Sequence, residues 1–237
     1  VSALILGLFL CYDRFKDSSW PSFQAIFSTE RLKNMLSINL DIFFRSIMLQ
    51  AISVSFLLYG GKFGDVKLAA NQILLQFLHG AAHGLDGFAF AAETLVGQAF
   101  GRKDRTILRK SVKVTSKLAF LLCCTMAIIF FFIGSSLIDV MTTAEDVRSE
   151  AKSYIIFIVL VPILGASAYM LDGIFVGAMK TKDMRNMMFI SVIFYFLALI
   201  LLVPHFENIG LWLALLISFV VRGVTLALRY PSLEKSI

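Results

Sequence analysis

The strongest constraint on this chain is a series of six long apolar segments separated by short charged stretches. They lie at residues 36–59, 67–100, 118–139, 153–179, 186–206 and 209–228. A helix needs about 20 residues to cross the hydrocarbon core of a bilayer, and each segment reaches that length. Helices satisfy their backbone hydrogen bonds internally, whereas open strands in lipid do not. The sequence therefore predicts an all-α polytopic membrane protein with six complete transmembrane helices.

The composition excludes several other classes of protein. Apolar residues make up 58% of the chain and charged residues 16%, against about 25% charged residues in an ordinary soluble domain. Neither a soluble domain nor a disordered chain accommodates this much apolar surface. Three cysteines, an odd number, do not suggest a disulfide scaffold. The net charge of +6 comes from residues placed between the apolar segments, so we expect no nucleic-acid partner.

The basic residues also predict the orientation in the membrane. Sixteen of the 22 Lys and Arg lie on one side of the predicted bilayer and four on the other. Basic loops are retained in the cytoplasm, so the side with sixteen is predicted to be cytoplasmic, together with both ends of the chain. We expect a plasma membrane protein, which in a bacterium means the inner membrane.

Four regions follow from this topology. Residues 1–11 are predicted to be the end of a preceding transmembrane helix, because the run is apolar but too short to span a bilayer. Residues 12–35 would form a cytoplasmic link with an amphipathic helix. Residues 36–230 would form the six-helix transmembrane lobe, and residues 231–237 a cytoplasmic tail.

Ionisable residues inside the predicted spans are candidates for function. The acids are Asp41, Asp86, Glu93 and Asp172, and the bases are Arg45 and Arg222. Each ionised group deep in a bilayer costs about 2.5–3.5 kcal/mol on insertion scales, so such groups usually face a partner, a cavity or a pathway. The excess of acids over bases predicts that at least one acid binds a proton or another cation. Asp41 and Arg45 are four residues apart on one helix and can pair, either as a structural ion pair or as a switchable one.

A polar stripe marks the second predicted span. At about 100° per residue, one face of this helix collects seven polar or small residues. They are Gln72, Gln76, His79, His83, Asp86, Glu93 and Gly97. Most residues on the other faces are Leu, Ile, Phe or Ala. We expect the stripe to line a cavity, and a polar interface between helices is the alternative.

The two histidines of the stripe raise the possibility of a metal site. His79 and His83 are spaced to chelate a metal, with Asp86 as a third ligand, which would suit an intramembrane metal-dependent enzyme. The metalloprotease pattern requires Glu directly after the first His, where this chain has Gly80. The sequence also contains no Walker loop, dinucleotide fingerprint or nucleophile–base pattern. We therefore predict a transporter without a metal or organic cofactor rather than an enzyme.

Four stretches of the chain resemble the multidrug and toxic compound extrusion (MATE) transporters, most closely their DinF-like branch. The resemblance covers the chain from about residue 31 onward. The stretches are SINLDIFFRS at 37–46, LAAN at 68–71 followed by LDGFAFAAETLVGQAFGRKD at 85–104, LDGIFVGAMKTKDMRN at 171–186, and IGLWLALLISFVVRGVTLALRYPSL at 209–233.

The resemblance implies one lobe of a two-lobe antiporter that works by alternating access. This chain would be the C-terminal six-helix lobe, and its partner would be the N-terminal lobe of the same polypeptide. The family exports amphipathic or cationic organic compounds, such as drugs and toxins, in exchange for H⁺ or Na⁺. By the resemblance, Asp41 and Arg45 match a polar pair, and Asp86, Glu93 and Asp172 match characteristic acidic positions. His79 and His83 depart from the apolar or small residues that are usual there.

Three other functions are compatible with a polytopic membrane protein. A lipid or oligosaccharide flippase of the same superfamily is disfavoured, because only Arg45 and Arg222 lie in the spans to hold phosphate groups. The metal-dependent enzyme with His79, His83 and Asp86 is a rival from another class. A subunit for assembly or sensing, without transport, is the third.

Overall fold

The computed structural model describes Leu6, Phe9 and residues 28–237. Leu6 and Phe9 are helical; the rest of the predicted helix end at 1–11 and the link up to residue 27 lie outside the described residues. From residue 28 onward the elements are α1 (Thr29–Gly61), α2 (Asp65–Arg102), α3 (Arg105–Met141), α4 (Glu145–Ser153), α5 (Ile155–Gly177) and α6 (Thr181–Lys235). Every regular element in this part of the chain is a helix, as the sequence predicts.

Contacts divide the chain into two units, Val1–Asn39 and Leu40–Ile237. In the first unit, residues 29–35 belong to the first turns of α1, where the sequence predicts a separate amphipathic helix. No Gly or Pro lies between residues 29 and 59, so nothing in the backbone interrupts the helix there. All the side chains of the candidate site belong to the second unit.

Four helices in the described part of the chain are long and apolar enough to span a membrane. They are α1 from Leu32 to Gly61, α3, α5 and α6. α2 contains the predicted span 67–100 but is less apolar, because Asn, Gln, His and acidic residues interrupt it. The same polar residues form the stripe, so the helix that falls short by hydropathy is the one with most candidate site residues.

α6 contains two of the predicted spans, 186–206 and 209–228, in 55 residues. The backbone of Glu207 is non-helical, with φ 46° and ψ −123°. A Cβ atom on Gly210 would lie 2.5 Å from the carbonyl oxygen of Leu202, so the chain turns back on itself at this point. α6 is therefore a helical hairpin whose two halves meet at Glu207, and Gly210 permits the tight contact between them.

α2 and α5 approach each other closely through two glycines of α5. A Cβ atom on Gly173 would lie 2.5 Å from the carbonyl oxygen of Ala89, and one on Gly177 would collide with the carbonyl oxygen of Glu93. Small residues at such positions let helix backbones touch in a membrane protein. The contact fixes the depth and rotation of α5 against α2, and with them the position of the neighbouring Asp172.

Two apolar cores lie in the second unit. The first core includes Phe56, Leu74, Ile158 and Trp212. The second core includes Leu85, Leu108, Ile174 and Leu226. Along the second half of α6, Phe219 belongs to the first core and Leu226 to the second. Arg222 therefore lies at the junction of the two cores, where an apolar residue would otherwise be expected.

Candidate functional site

Three charged side chains from three helices meet at the junction of the cores, and we name them the arginine cluster: Arg45, Asp172 and Arg222. The Nη2 atom of Arg45 lies 2.5 Å from Oδ2 of Asp172. The Nε atom of Arg222 lies 3.8 Å from the same oxygen. Asp172 is 5% exposed and Arg222 2% exposed. One carboxylate is thus shared between two guanidinium groups in an apolar interior.

Arg222 is poorly satisfied for a buried guanidinium. Of its five N–H donors, those of Nε and Nη2 have no hydrogen-bond partner among the described residues. Nη1 contacts the sulfur of Met188 at 3.8 Å, a weak acceptor. The guanidinium carbon lies 5.3 Å from the ring centroid of Tyr169 and 5.5 Å from that of Phe219. These cation–π contacts stabilise the charge but use none of its donors.

The arginine cluster has one net positive charge, because two guanidinium groups share one carboxylate. Removing an ion from water costs several kcal/mol even after relaxation, so buried charges are normally paired and fully hydrogen-bonded. The Oδ1 atom of Asp172 and the Nε atom of Arg45 are also buried without a partner among residues 28–237. The cluster is therefore underpaired both in charge and in hydrogen bonds.

A cavity of about 180 Å³ extends to Arg222, and we name it the Arg222 cavity. Its walls are mainly apolar side chains of α1, α2 and the second half of α6. Three serines, Tyr169 and His79 add polar groups. The lining residues are Leu49, Ile52, Ser53, Phe56, Leu75, Leu78, His79, Ala82, Tyr169, Met188, Ser191, Leu215, Ser218, Phe219 and Arg222. His79 is exposed and Arg222 is buried, so the cavity connects the surface of α2 with the arginine cluster.

The predicted pair of Asp41 and Arg45 is wrong, because each residue has a different partner. Asp41 accepts a hydrogen bond of 2.6 Å from Nη1 of Arg185 and one of 3.0 Å from the hydroxyl of Thr181. Arg45 binds Asp172 instead. The i, i+4 spacing permits a pair within α1, but α5 supplies Asp172 to Arg45 and α6 supplies Arg185 to Asp41. Asp41 is 5% exposed and its charge is compensated at the start of α6.

The polar stripe of α2 lies largely on the outside of the unit. Gln72, Gln76, His79 and His83 are exposed. Asp86, Glu93 and Gly97 are half-buried. Asp86 is near enough to Arg45 and Tyr169 to interact with them electrostatically. The structure thus places the N-terminal part of the stripe, residues 72–83, at a surface and brings Asp86 towards the arginine cluster.

The histidines of the stripe interact along their own helix. Nδ1 of His83 lies 2.6 Å from the carbonyl oxygen of His79, one turn earlier. Within residues 28–237, no three side chains of His, Cys, Asp or Glu come together in a group that could hold a metal ion. The ligand set that the metal-dependent enzyme would need, His79 with His83 and Asp86, is therefore not assembled in the part of the chain that is described.

A second buried polar group, which we name the amide network, joins α2 to the second half of α6. It consists of Asn71, Asn208 and Trp212. Nδ2 of Asn71 donates to Oδ1 of Asn208 at 2.7 Å, and Nδ2 of Asn208 donates to Oδ1 of Asn71 at 3.1 Å. Nε1 of Trp212 donates to Oδ1 of Asn71 at 3.0 Å. All three residues are fully buried.

Sequence reasoning missed several members of the site. Arg185 and Thr181 lie between two predicted spans, where hydropathy does not single them out, and both bind Asp41. Tyr169 carries no pattern that distinguishes it from other aromatic residues in the spans. Arg222 was counted as a buried base without a role, and its position in the middle of an apolar segment was the signal that could have identified it.

Comparison with known proteins finds relatives over most of the chain. The sequence profile of the MatE family matches residues 42–202. The chain is 32% identical over 195 residues to DNA damage-inducible protein F of Escherichia coli (strain K12), a match that covers 82% of this chain and 42% of that protein. It is 26% identical over 125 residues to Protein DETOXIFICATION 26 of Arabidopsis thaliana, covering 52% of this chain and 25% of that protein. The chain spans less than half the length of these curated relatives.

Solved structures of MATE transporters share the fold. The bent form of the Vibrio cholerae MATE transporter VcmN superposes with a TM-score of 0.84 at 15% identity, covering 98% of this chain and 53% of that one. The eukaryotic MATE transporter AtDTX14 superposes with a TM-score of 0.84 at 16% identity, covering 99% of this chain and 54% of that one. At these identities the likeness establishes the fold alone.

Proposed function

The chain belongs to the MatE family, in its DinF-like branch, and from that premise we propose that it forms one lobe of a secondary active efflux antiporter. The antiporter exports amphipathic organic compounds in exchange for H⁺ or Na⁺. A second lobe of the same polypeptide lies across the substrate pathway. The proposed location is the plasma membrane, with six spans in this lobe and both ends of this chain on the cytoplasmic side.

The four intramembrane acids fall into two classes, which supports cation coupling. Asp41 and Asp172 each bind an arginine. Asp86 and Glu93 make no ion pair within 4.0 Å among the described side chains, and both lie half-buried on the striped face of α2. A carboxylate without a fixed counter-ion, at a partly accessible position, is the kind of group that can take up H⁺ or Na⁺ reversibly. We assign Asp86 and Glu93 as the acids of this lobe that take part in coupling.

The proposed mechanism is an exchange between two arrangements of the lobes. Coupling requires that the cation bind one arrangement more tightly and that the substrate bind the other more tightly. The stripe of α2 is suited to the substrate pathway, because its Gln and His side chains are exposed. Asp86 connects this face to Arg45 electrostatically, so cation binding and the arginine cluster influence each other.

Efflux from cells tests the proposal. Cells that express the full-length protein are loaded with ethidium, an amphipathic cation, and with fluorescein, an amphipathic anion, and loss of each dye is followed. We expect export of at least one dye, and a large loss of export in Asp86→Asn and Glu93→Gln at equal expression. Matched controls are Asp146→Asn and Glu145→Gln, which make the same changes at exposed positions of α4. Wild-type cells that retain both dyes as vector-only cells do would contradict the transport function.

The coupling ion is identified in inverted membrane vesicles. Substrate is added outside while luminal pH and the release of ²²Na⁺ preloaded into the lumen are measured in parallel, because the exchanged cation leaves the lumen as substrate enters. An H⁺-coupled protein changes luminal pH without moving sodium, whereas an Na⁺-coupled one moves sodium and is insensitive to a protonophore at fixed membrane potential. Loss of whichever ion flux is found in Asp86→Asn supports the assignment of that acid.

A further inference from the structure

We propose that the Arg222 cavity binds the carboxylate group of an amphipathic organic acid, with the carboxylate against Arg222 and the apolar part of the compound against the cavity walls. This inference rests on the transport function proposed above and names the substrate class of the same lobe. It replaces the cationic substrate that the family resemblance implies with an anionic one at this site.

Unpaired donors supply the first observation. Arg222 is 2% exposed, and its Nε and Nη2 atoms have no hydrogen-bond partner among residues 28–237. Nε and one Nη of a guanidinium form a planar fork that matches the two oxygens of a carboxylate. A buried cation with unused donors at the end of a cavity is costly when it stays unpaired. An anion that enters the cavity removes this cost.

The second observation is the net charge of the arginine cluster. The arginine cluster has one net positive charge, since Arg45 and Arg222 share Asp172. A monovalent anion makes the cluster neutral. A cationic group placed against Arg222 would be repelled at short range in an apolar interior, where electrostatic interactions are strong. Asp86 is the other charged group near the cluster, on the Arg45 side. The charge of Arg222 therefore favours a ligand with a negative group over one with a positive group.

Among the residues that line the Arg222 cavity, Arg222 is the one with a permanent positive charge, and the three serines there use their hydroxyl hydrogens elsewhere. The hydroxyl of Ser191 donates to the carbonyl oxygen of Ser218 at 2.7 Å, and the hydroxyl of Ser218 donates to that of Leu215 at 2.7 Å. The hydroxyl of Ser53 donates to the carbonyl oxygen of Leu49 at 3.3 Å. Each hydroxyl has one hydrogen, so none of the three serines retains a donor for a ligand. The positive charge of Arg222 therefore favours the anionic end of a ligand at the buried end of the cavity.

The size and lining of the cavity select the rest of the ligand. A volume of about 180 Å³ accommodates a small aromatic or aliphatic group, and the walls contributed by Ile52, Phe56 and Leu215 are apolar. A free phosphate ion or a phosphorylated headgroup needs more donors and more positive charge than one fork provides. His79 stands exposed at the α2 end of the cavity, so a larger ligand can extend from there to the polar stripe.

Equilibrium dialysis with the purified full-length protein tests this inference. The probes are ¹⁴C-labelled benzoate, its neutral analogue benzamide, its cationic analogue benzamidine, and inorganic phosphate. We expect benzoate to bind about tenfold or more tightly than each of the others, because only benzoate forms a charge-assisted fork with Arg222. Equal binding of benzoate and benzamide would overturn the inference, as would binding of phosphate at least as tight as that of benzoate.

Variants assign the binding to Arg222. In Arg222→Met we expect benzoate affinity to fall to that of benzamide, and in Arg222→Lys we expect an intermediate value, since Lys keeps the charge but loses the fork. Arg229→Met makes the same change at an exposed position on the same half of α6 and should bind benzoate as the wild type does. Unchanged benzoate binding in a folded Arg222→Met protein contradicts the inference. If that variant does not fold, the comparison of benzoate with benzamide in the wild type still decides.

The dialysis experiment tests the carboxylate site, and the efflux experiment tests the transport function, so either proposal can be contradicted without the other. A protein that exports ethidium but does not distinguish benzoate from benzamide retains the transport function and loses the carboxylate site. A protein that binds benzoate through Arg222 but exports neither dye retains the site and loses the transport function.

Discussion

The chain buries two polar groups of similar size, and they differ in how completely they are satisfied. In the amide network, three neutral side chains exchange three hydrogen bonds of 2.7–3.1 Å. In the arginine cluster, two guanidinium groups share one carboxylate, and several buried donors have no partner among the described residues. A satisfied network makes the packing of its helices rigid, whereas an unpaired buried polar group costs free energy that a ligand can recover. The difference separates structural from functional polar residues within one lobe.

A glycine next to the amide network leaves room for its side chains. A Cβ atom on Gly60 would lie 3.0 Å from Nδ2 of Asn71, so the absence of a side chain on Gly60 leaves room for the Asn71 amide. Asn208 directly follows Glu207, the non-helical residue between the two halves of α6. The network thus ties α2 to the turn of the α6 hairpin. No comparable set of short neutral hydrogen bonds surrounds Arg222 in the described residues.

The largest effect on stability is expected from Asp172→Asn. The substitution removes the carboxylate that the half-buried Arg45 and the buried Arg222 share, and it leaves both guanidinium groups without it. Breaking a buried ion pair from one side typically costs about 3–5 kcal/mol. Thermal and denaturant unfolding of the purified protein in detergent measure the change. Asp146→Asn, at an exposed position, is the matched control and should be near neutral.

The same variant sharpens the comparison when benzoate is added. Benzoate should raise the unfolding temperature of Asp172→Asn more than that of the wild type, because two uncompensated cations then face the ligand. If Asp172→Asn lowers the free energy of unfolding by less than about 1 kcal/mol, the shared carboxylate contributes little to stability.

Asn71→Leu is expected to have the next largest effect. It strands the amide of Asn208 and the indole N–H of Trp212 in a buried site, and each unsatisfied group costs about 1–3 kcal/mol. We expect a total loss of roughly 2–4 kcal/mol in the free energy of unfolding. Gln72→Leu changes the next residue at an exposed position and should stay within about 0.5 kcal/mol of the wild type. Benzoate should give Asn71→Leu the same shift as the wild type, and a larger shift would break the separation of the two groups.

Arg222→Met should affect function far more than stability. The substitution leaves Arg45 and Asp172 as a neutral pair at 2.5 Å and replaces an unpaired cation by an apolar side chain of similar length. Replacing poorly paired buried charges by apolar groups is often neutral or stabilising. We expect the free energy of unfolding of Arg222→Met to be higher than that of the wild type, or lower by no more than about 1 kcal/mol, and we expect benzoate binding to fall to the level of benzamide. A destabilisation comparable to that of Asn71→Leu would place Arg222 among the structural residues.

The helical segments could be predicted from the sequence because hydropathy and length are local properties. The site could be predicted only in part, because its pairings are not local. Arg45 and Asp172 are 127 residues apart in sequence, and Asp41 and Arg185 are 144 apart. Spacing within α1 suggested a pair between Asp41 and Arg45, and only the packing of α5 and α6 decides otherwise. The sequence pointed to Asp172 as an intramembrane acid but gave no indication that two arginines share it.

The smallest effect is expected at the edge of the amide network, where Lys67 and Glu207 form a surface ion pair of 2.8 Å. Glu207 is largely exposed, and exposed ion pairs contribute about 0–1 kcal/mol. Glu207→Gln should therefore cost less than about 1 kcal/mol in the free energy of unfolding.

Glu207→Gly removes the same ion pair but suits the backbone, whose φ of 46° favours glycine. It should be the more stable of the two variants by about 1 kcal/mol, since a strained backbone conformation of this kind costs about 1–3 kcal/mol. If Glu207→Gly is instead less stable than Glu207→Gln, the turn depends on a side chain at position 207. The amide network then does not hold the hairpin by itself.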